Sequence, residues 1–70
     1  MCDANKMSRA RDILARADEM ERAGAPISES AEGYWNRAEQ HIQDERGHLA
    51  LVEANKLAVI LGIATEGQPA

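Results

Sequence analysis

The sequence predicts an all-α protein: a helical hairpin whose second helix is much longer than its first. Apolar residues recur at intervals of three and four along both halves of the chain, as they do on one face of a helix. Pro26 and Pro69 are the only prolines, so two long stretches lack the residue that most strongly breaks helices. We therefore expect one helical domain over residues 5–64, between a disordered N-terminus (1–4) and a disordered tail (65–70).

The first helix is predicted to begin near Asn5 or Ser8, either of which can cap a helix N-terminus. It should end at Ala23, because Gly24 readily adopts the left-handed conformation found after a helix C-terminus. Pro26 then prevents the helix from continuing, and a turn over Gly24–Ser28 follows. The apolar stripe of this first helix consists of Met7, Ala10, Ile13, Leu14, Ala17 and Met20.

The second helix should begin close to Ser28 or Ser30 and run far towards the C-terminus. Its alternating spacing of three and four residues is typical of coiled-coil packing, with Glu45 and Lys56 at two polar positions. Gly47 lowers helix stability by about 1 kcal/mol relative to alanine. The helix either continues through Gly47 or breaks there, so that a third helix packs back on the first two. The apolar members of the series are Trp35, Ala38, Ile42, Leu49, Val52, Val59 and Ile63.

The charge and cysteine content exclude several classes of function. Twelve acidic and eight basic residues give a net charge of −4, and the two signs are interleaved rather than collected in a basic patch. Direct binding to nucleic acid is therefore not expected. The lone cysteine, Cys2, precludes an internal disulfide and favours a reducing compartment, which we take to be the cytoplasm. We expect neither a signal peptide nor a transmembrane span, because the apolar stretch is shorter than the roughly 20 residues needed to cross a bilayer.

The central part of the chain, from Ile13 to Ile42, resembles a short bacterial domain of unknown function, family twenty-nine thirty-four. That family shows an Arg-Ala opening, a Gly-x-Pro turn and an aromatic-Trp pair followed by Ala-Glu. The resemblance implies a helical hairpin in a bacterial protein and assigns no activity, since the family has none. The matching residues here are Arg16-Ala17, Gly24, Pro26, Tyr34-Trp35 and Ala38-Glu39.

The stretch from Leu49 to Ala64 is apolar around most of a helix rather than along one stripe. A surface helix of a small domain normally has one apolar and one polar face, so we expect this segment to be covered on several sides. The leading hypothesis is a non-enzymatic homo-oligomer that assembles through this segment, and docking on a different protein is left open. The predicted interface residues are Leu49, Val52, Leu57, Val59, Ile60 and Ile63.

An alternative hypothesis is a metal-binding oligomeric bundle. His41, Glu45 and His48 lie at spacings of four and three, which would place them on one face of a continuous helix. Glu45 and His48 also form a Glu-x-x-His motif similar to the one in ferritin-like bundles, which implies an iron or zinc site. We find no nucleophile–base pair and no Gly-rich phosphate loop in the sequence, and no enzymatic activity is expected.

Overall fold

The computed structural model describes residues 3–63, which form three α-helices and no strand within that range, so the predicted all-α class is confirmed. The first helix already includes Asp3 and Ala4, two residues of the segment predicted to be disordered. Cys2 and the predicted disordered tail over 65–70 lie outside the described residues. The three helices are α1 (Asp3–Arg22), α2 (Glu29–Gln43) and α3 (Gly47–Leu61).

The break near Gly47 that the sequence left open is present, and a single long second helix is not. The helix ends at Gln43, and a short turn leads into α3. Gly47 is not the residue that ends α2. It is the buried first residue of α3, and the left-handed residue of the turn is Glu45, with φ of 58°.

Helix α3 lies between the other two helices. It contacts α1 and α2 extensively, whereas α1 and α2 contact each other little. This arrangement is the one that the sequence left open, in which the chain bends near Gly47 and a third helix packs back on the first two. Only α3 is apolar around most of its circumference, so placing it between two helices with single apolar stripes buries the most apolar surface.

The core is built mainly from alanine. Seven of the ten buried apolar residues are alanines, and Leu57 is the largest side chain that is fully buried among the described residues. Small side chains at the contacts allow helix axes to approach closely. They also bury little apolar area, so we expect a domain of low stability. The buried alanines are Ala10 and Ala17 on α1, Ala31 and Ala38 on α2, and Ala50, Ala54 and Ala58 on α3.

All three helices end in a Schellman motif, in which a backbone N–H bonds to the carbonyl oxygen five residues earlier. The left-handed residues of these motifs have φ of 95° at Gly24, 58° at Glu45 and 74° at Gly62. Glycine was expected at the first of these ends. Glu45 is the one non-glycine residue with positive φ between residues 3 and 63. The bonds join Ala25 to Met20 (3.0 Å), Arg46 to His41 (2.8 Å) and Ile63 to Ala58 (2.9 Å).

The turn between α1 and α2 follows the sequence prediction. Ser28 is the N-cap of α2, and its side-chain oxygen accepts a hydrogen bond from the backbone N–H of Ala31 at 3.2 Å. Ile27 and Trp35 are both partly buried and pack against the cluster of Ala17, Ala31 and Leu57. The hydrogen bond from the N–H of Ala31 to the capping side chain of Ser28 therefore supports the start of α2 at Glu29.

Candidate interaction surface

One face of α3 is turned away from both α1 and α2, and we call it the outer face. It consists of residues spaced by three and four positions, which lie on one side of a helix with about 3.6 residues per turn. Three large aliphatic side chains on it are exposed: Leu49 by 40%, Val59 by 69% and Ile60 by 44%. The outer face is formed by Leu49, Val52, Lys56, Val59 and Ile60.

The structure brings only part of the predicted interface to this surface. Placing Leu57 at an interface between subunits is wrong, because its side chain is fully buried in a cluster with Ala17 and Ala31. Val52 is half-buried on the outer face. Ile63 is also half-buried, and it packs on the core beyond the end of α3. The physical reason is that α1 and α2 already cover the opposite side of α3.

A polar network borders the outer face on the side of α2. Nε of Arg37 lies 3.4 Å from Oε2 of Glu53, an ion pair that joins α2 to α3. The Tyr34 ring is next to two cations, with the Arg37 guanidinium 4.9 Å and the Lys56 Nζ 5.7 Å from its centroid. Cations over aromatic rings are attracted by the ring quadrupole. Sequence reasoning missed this network, because Arg37 and Glu53 belong to different helices and their pairing depends on the turn between them.

The three residues of the predicted metal site do not share a helical face. His41 lies in α2, Glu45 lies in the turn with left-handed backbone, and His48 lies in the first turn of α3. Lys6 Nζ donates a hydrogen bond to Nδ1 of His48 at 3.3 Å, which places a cation beside one proposed ligand. Within residues 3–63 no group of three or more His, Cys, Asp or Glu residues is placed to hold a metal ion. The predicted geometry depended on a continuous helix, and the break before Gly47 removes it.

Two buried polar atoms lack a hydrogen-bond partner in the described part of the chain. They are Nδ1 of His41 on α2 and Oδ1 of Asn55 on α3. A buried polar atom without a partner lowers stability by about 1–3 kcal/mol. His41 belongs to no group of three or more His, Cys, Asp or Glu residues within residues 3–63 that could hold a metal ion.

No helix within residues 3–63 combines the length and the apolar character needed to cross a membrane. Comparisons with known protein families, with curated proteins and with solved structures give no match for this chain. The resemblance of the segment from Ile13 to Ile42 to a bacterial family therefore stays a prediction. The outer face of α3 is the feature of the described surface with the clearest chemical character: aliphatic, with one lysine at its centre.

Proposed function

We propose that this protein is a non-enzymatic helical module that self-associates through the outer face of α3. The observation that supports this is the exposure of Leu49, Val59 and Ile60 on a single face of the most apolar helix. Large aliphatic residues that gather on one exposed face mark interaction surfaces more often than single exposed ones do. The spacing of three and four along this face is also the spacing that helices use to pack against each other.

The exposed area sets the strength of the association. The exposed fractions of the three side chains together equal about one and a half fully exposed residues, worth about 2–5 kcal/mol per copy when buried. A symmetric dimer would gain about twice that amount, against an association cost of at least about 4 kcal/mol. The net apolar contribution is therefore no more than about 6 kcal/mol, which supports a weak, reversible dimer with a Kd of about 0.04 mM or weaker.

Sedimentation velocity over a range of concentrations tests the proposal. We expect the average mass of the wild-type protein to rise as its concentration is raised from about 10 µM to about 1 mM, a range that begins below the tightest Kd given above. Ile60→Asp should abolish the rise, because it places a charge on the aliphatic surface that the dimer would bury. The helical circular dichroism should persist, since Ile60 contributes little to the core. A matched control is Ala15→Asp, which adds the same charge at an exposed position of α1.

Two results would overturn the proposal. One is a wild-type protein that stays monomeric throughout this range, which would leave a different protein as the occupant of the face. The other is an Ile60→Asp variant whose mass rises as the wild type does while Ala15→Asp also behaves normally. That outcome would place the interface elsewhere.

The proposal includes no substrate and no cofactor. The lone cysteine supports a reducing compartment, and the resemblance to a bacterial family supports the bacterial cytoplasm as the location. In such a setting a weak dimer would respond to local concentration, because half-occupancy requires a concentration near the Kd.

A further inference from the structure

Three residues of the outer face, together with Glu53 at its border with α2, form a self-complementary pattern of side chains. Leu49, Glu53, Lys56 and Ile60 are separated by four, three and four positions, which keeps them in one line along α3. The line has an aliphatic residue at each end and an acid and a base in the middle. Reading it backwards exchanges the two aliphatic residues and the two opposite charges.

We infer that two copies pair through antiparallel α3 helices, related by a twofold axis between Glu53 and Lys56. This inference rests on the proposed self-association. In this register Leu49 lies opposite Ile60 of the partner subunit. Glu53 then lies opposite Lys56 of the partner subunit, and the same contacts recur on the other side of the axis. A twofold interface must be self-complementary in this way.

The charges favour this orientation over a parallel one. A parallel pair in register would set Glu53 against its own copy and Lys56 against its own copy, and like charges facing each other are destabilising. Glu53 is also held in place, because its carboxylate is paired with Arg37 at 3.4 Å and its side chain is only 17% exposed. A fixed carboxylate loses less conformational freedom when a partner lysine approaches it.

Disulfide trapping tests the orientation. In a Cys2→Ser background, Leu49→Cys and Ile60→Cys proteins are each oxidised alone and then as an equal mixture. In the antiparallel pair the two copies of residue 49 are about 16 Å apart along the helices, because eleven residues at about 1.5 Å separate position 49 from position 60. A disulfide requires Cα atoms within about 7 Å. We therefore expect cross-linked heterodimers in the mixture and little cross-linking in either protein alone.

The outcomes separate this inference from the proposed function. Cross-linking of Leu49→Cys with itself would overturn the antiparallel orientation and leave self-association in place. If the wild-type mass rises with concentration but no combination cross-links, the register is wrong. If the wild-type mass does not rise at all, the proposed function fails and this inference fails with it.

A charge experiment tests the central contacts. Lys56→Glu should weaken the dimer about tenfold or more at low salt, because two attractive contacts become repulsive. Arg11→Glu makes the same change of charge at an exposed position of α1 and should leave the Kd near the wild-type value. An equal mixture of Lys56→Glu with Glu53→Lys should recover heterodimers, since both contacts between the subunits then join opposite charges. Circular dichroism of Glu53→Lys alone checks that the helices persist without the ion pair to Arg37. Equal weakening by Lys56→Glu and Arg11→Glu would refute the contact between Glu53 and Lys56.

Discussion

Replacing Glu45 with glycine should stabilise the protein. Glu45 holds the left-handed position of the Schellman motif that ends α2, with φ of 58°. The two equivalent positions, after α1 and after α3, are occupied by Gly24 and Gly62. An L-residue with a side chain is strained in this conformation because its Cβ approaches the following carbonyl oxygen, whereas glycine has no Cβ.

The size of the effect follows from two opposing contributions. Relief of the left-handed strain is worth about 1–2 kcal/mol. Glycine also gives the unfolded chain more conformational freedom, which offsets about 0.4–1 kcal/mol. We expect Glu45→Gly to raise the free energy of unfolding by about 0.5–1 kcal/mol. In a domain of this size that corresponds to an increase in Tm of about 2–8 °C.

Replacing the glycines at the two equivalent positions with alanine is the reverse test. It should change the free energy of unfolding by a similar amount in the opposite direction. A Cβ added at Gly24 or Gly62 would meet no atom of the described residues within 4 Å, so the cost there is one of backbone conformation alone. Gly24→Ala and Gly62→Ala should each lower the free energy of unfolding by about 0.5–1 kcal/mol. Glu45→Gln removes the charge and keeps the Cβ, and it serves as the reference for Glu45→Gly.

Urea unfolding, followed by circular dichroism and by the fluorescence of Trp35, measures these changes. The comparison between Glu45→Gly and Glu45→Gln isolates the backbone contribution from the loss of the carboxylate. If Glu45→Gly is no more stable than Glu45→Gln, position 45 does not have left-handed backbone in solution. The assigned end of α2 would then be wrong.

Three further substitutions test the core, the exposed side of α3 and the helix cap. Leu57→Ala should lower the free energy of unfolding by about 2–5 kcal/mol, because it empties the largest fully buried site, and urea unfolding should show the protein largely unfolded at room temperature. Ile60→Ala, at a partly exposed position three residues on, should change the stability by about 1 kcal/mol or less, and a loss equal to that of Leu57→Ala would contradict the assigned faces of α3. Ser28→Ala should cost about 1 kcal/mol in the same assay through loss of the hydrogen bond to the N–H of Ala31, and an unchanged midpoint would mean that the cap is not formed.

The features predictable from the sequence were those that depend on neighbouring residues. The turn at Gly24, the cap at Ser28 and the apolar stripe of α1 each follow from local chemistry, and the structure confirms them. The end of α2 was not predictable in the same way. The residue that adopts left-handed backbone there is Glu45, a type that rarely does so, and the sequence indicated only a possible break near Gly47, which is the first residue of α3.

Faces of a helix that is apolar all round are equally hard to assign. Leu57 and Ile60 are both large and aliphatic and lie three positions apart, yet one is fully buried and the other is 44% exposed. Which of them faces inward depends on where α1 and α2 dock, and that is decided by contacts between distant parts of the chain. The supposed metal ligands failed for a related reason: their common face existed only if α2 continued through Glu45.

Because the core is rich in alanine, substitutions that enlarge a buried side chain are a more frequent source of destabilisation here than substitutions that shorten one. In most domains the most damaging change is the loss of a large buried side chain, but only three of the ten buried apolar residues between residues 3 and 63 are large: Ile13, Leu51 and Leu57. The more frequent hazard is enlargement: a methyl group added at Ala50, Ala54 or Ala58 has to push two helices apart, at a cost of about 1–3 kcal/mol. We therefore expect related sequences to vary widely in side-chain size at surface positions. At the positions of Ala50, Ala54 and Ala58 they should keep small side chains.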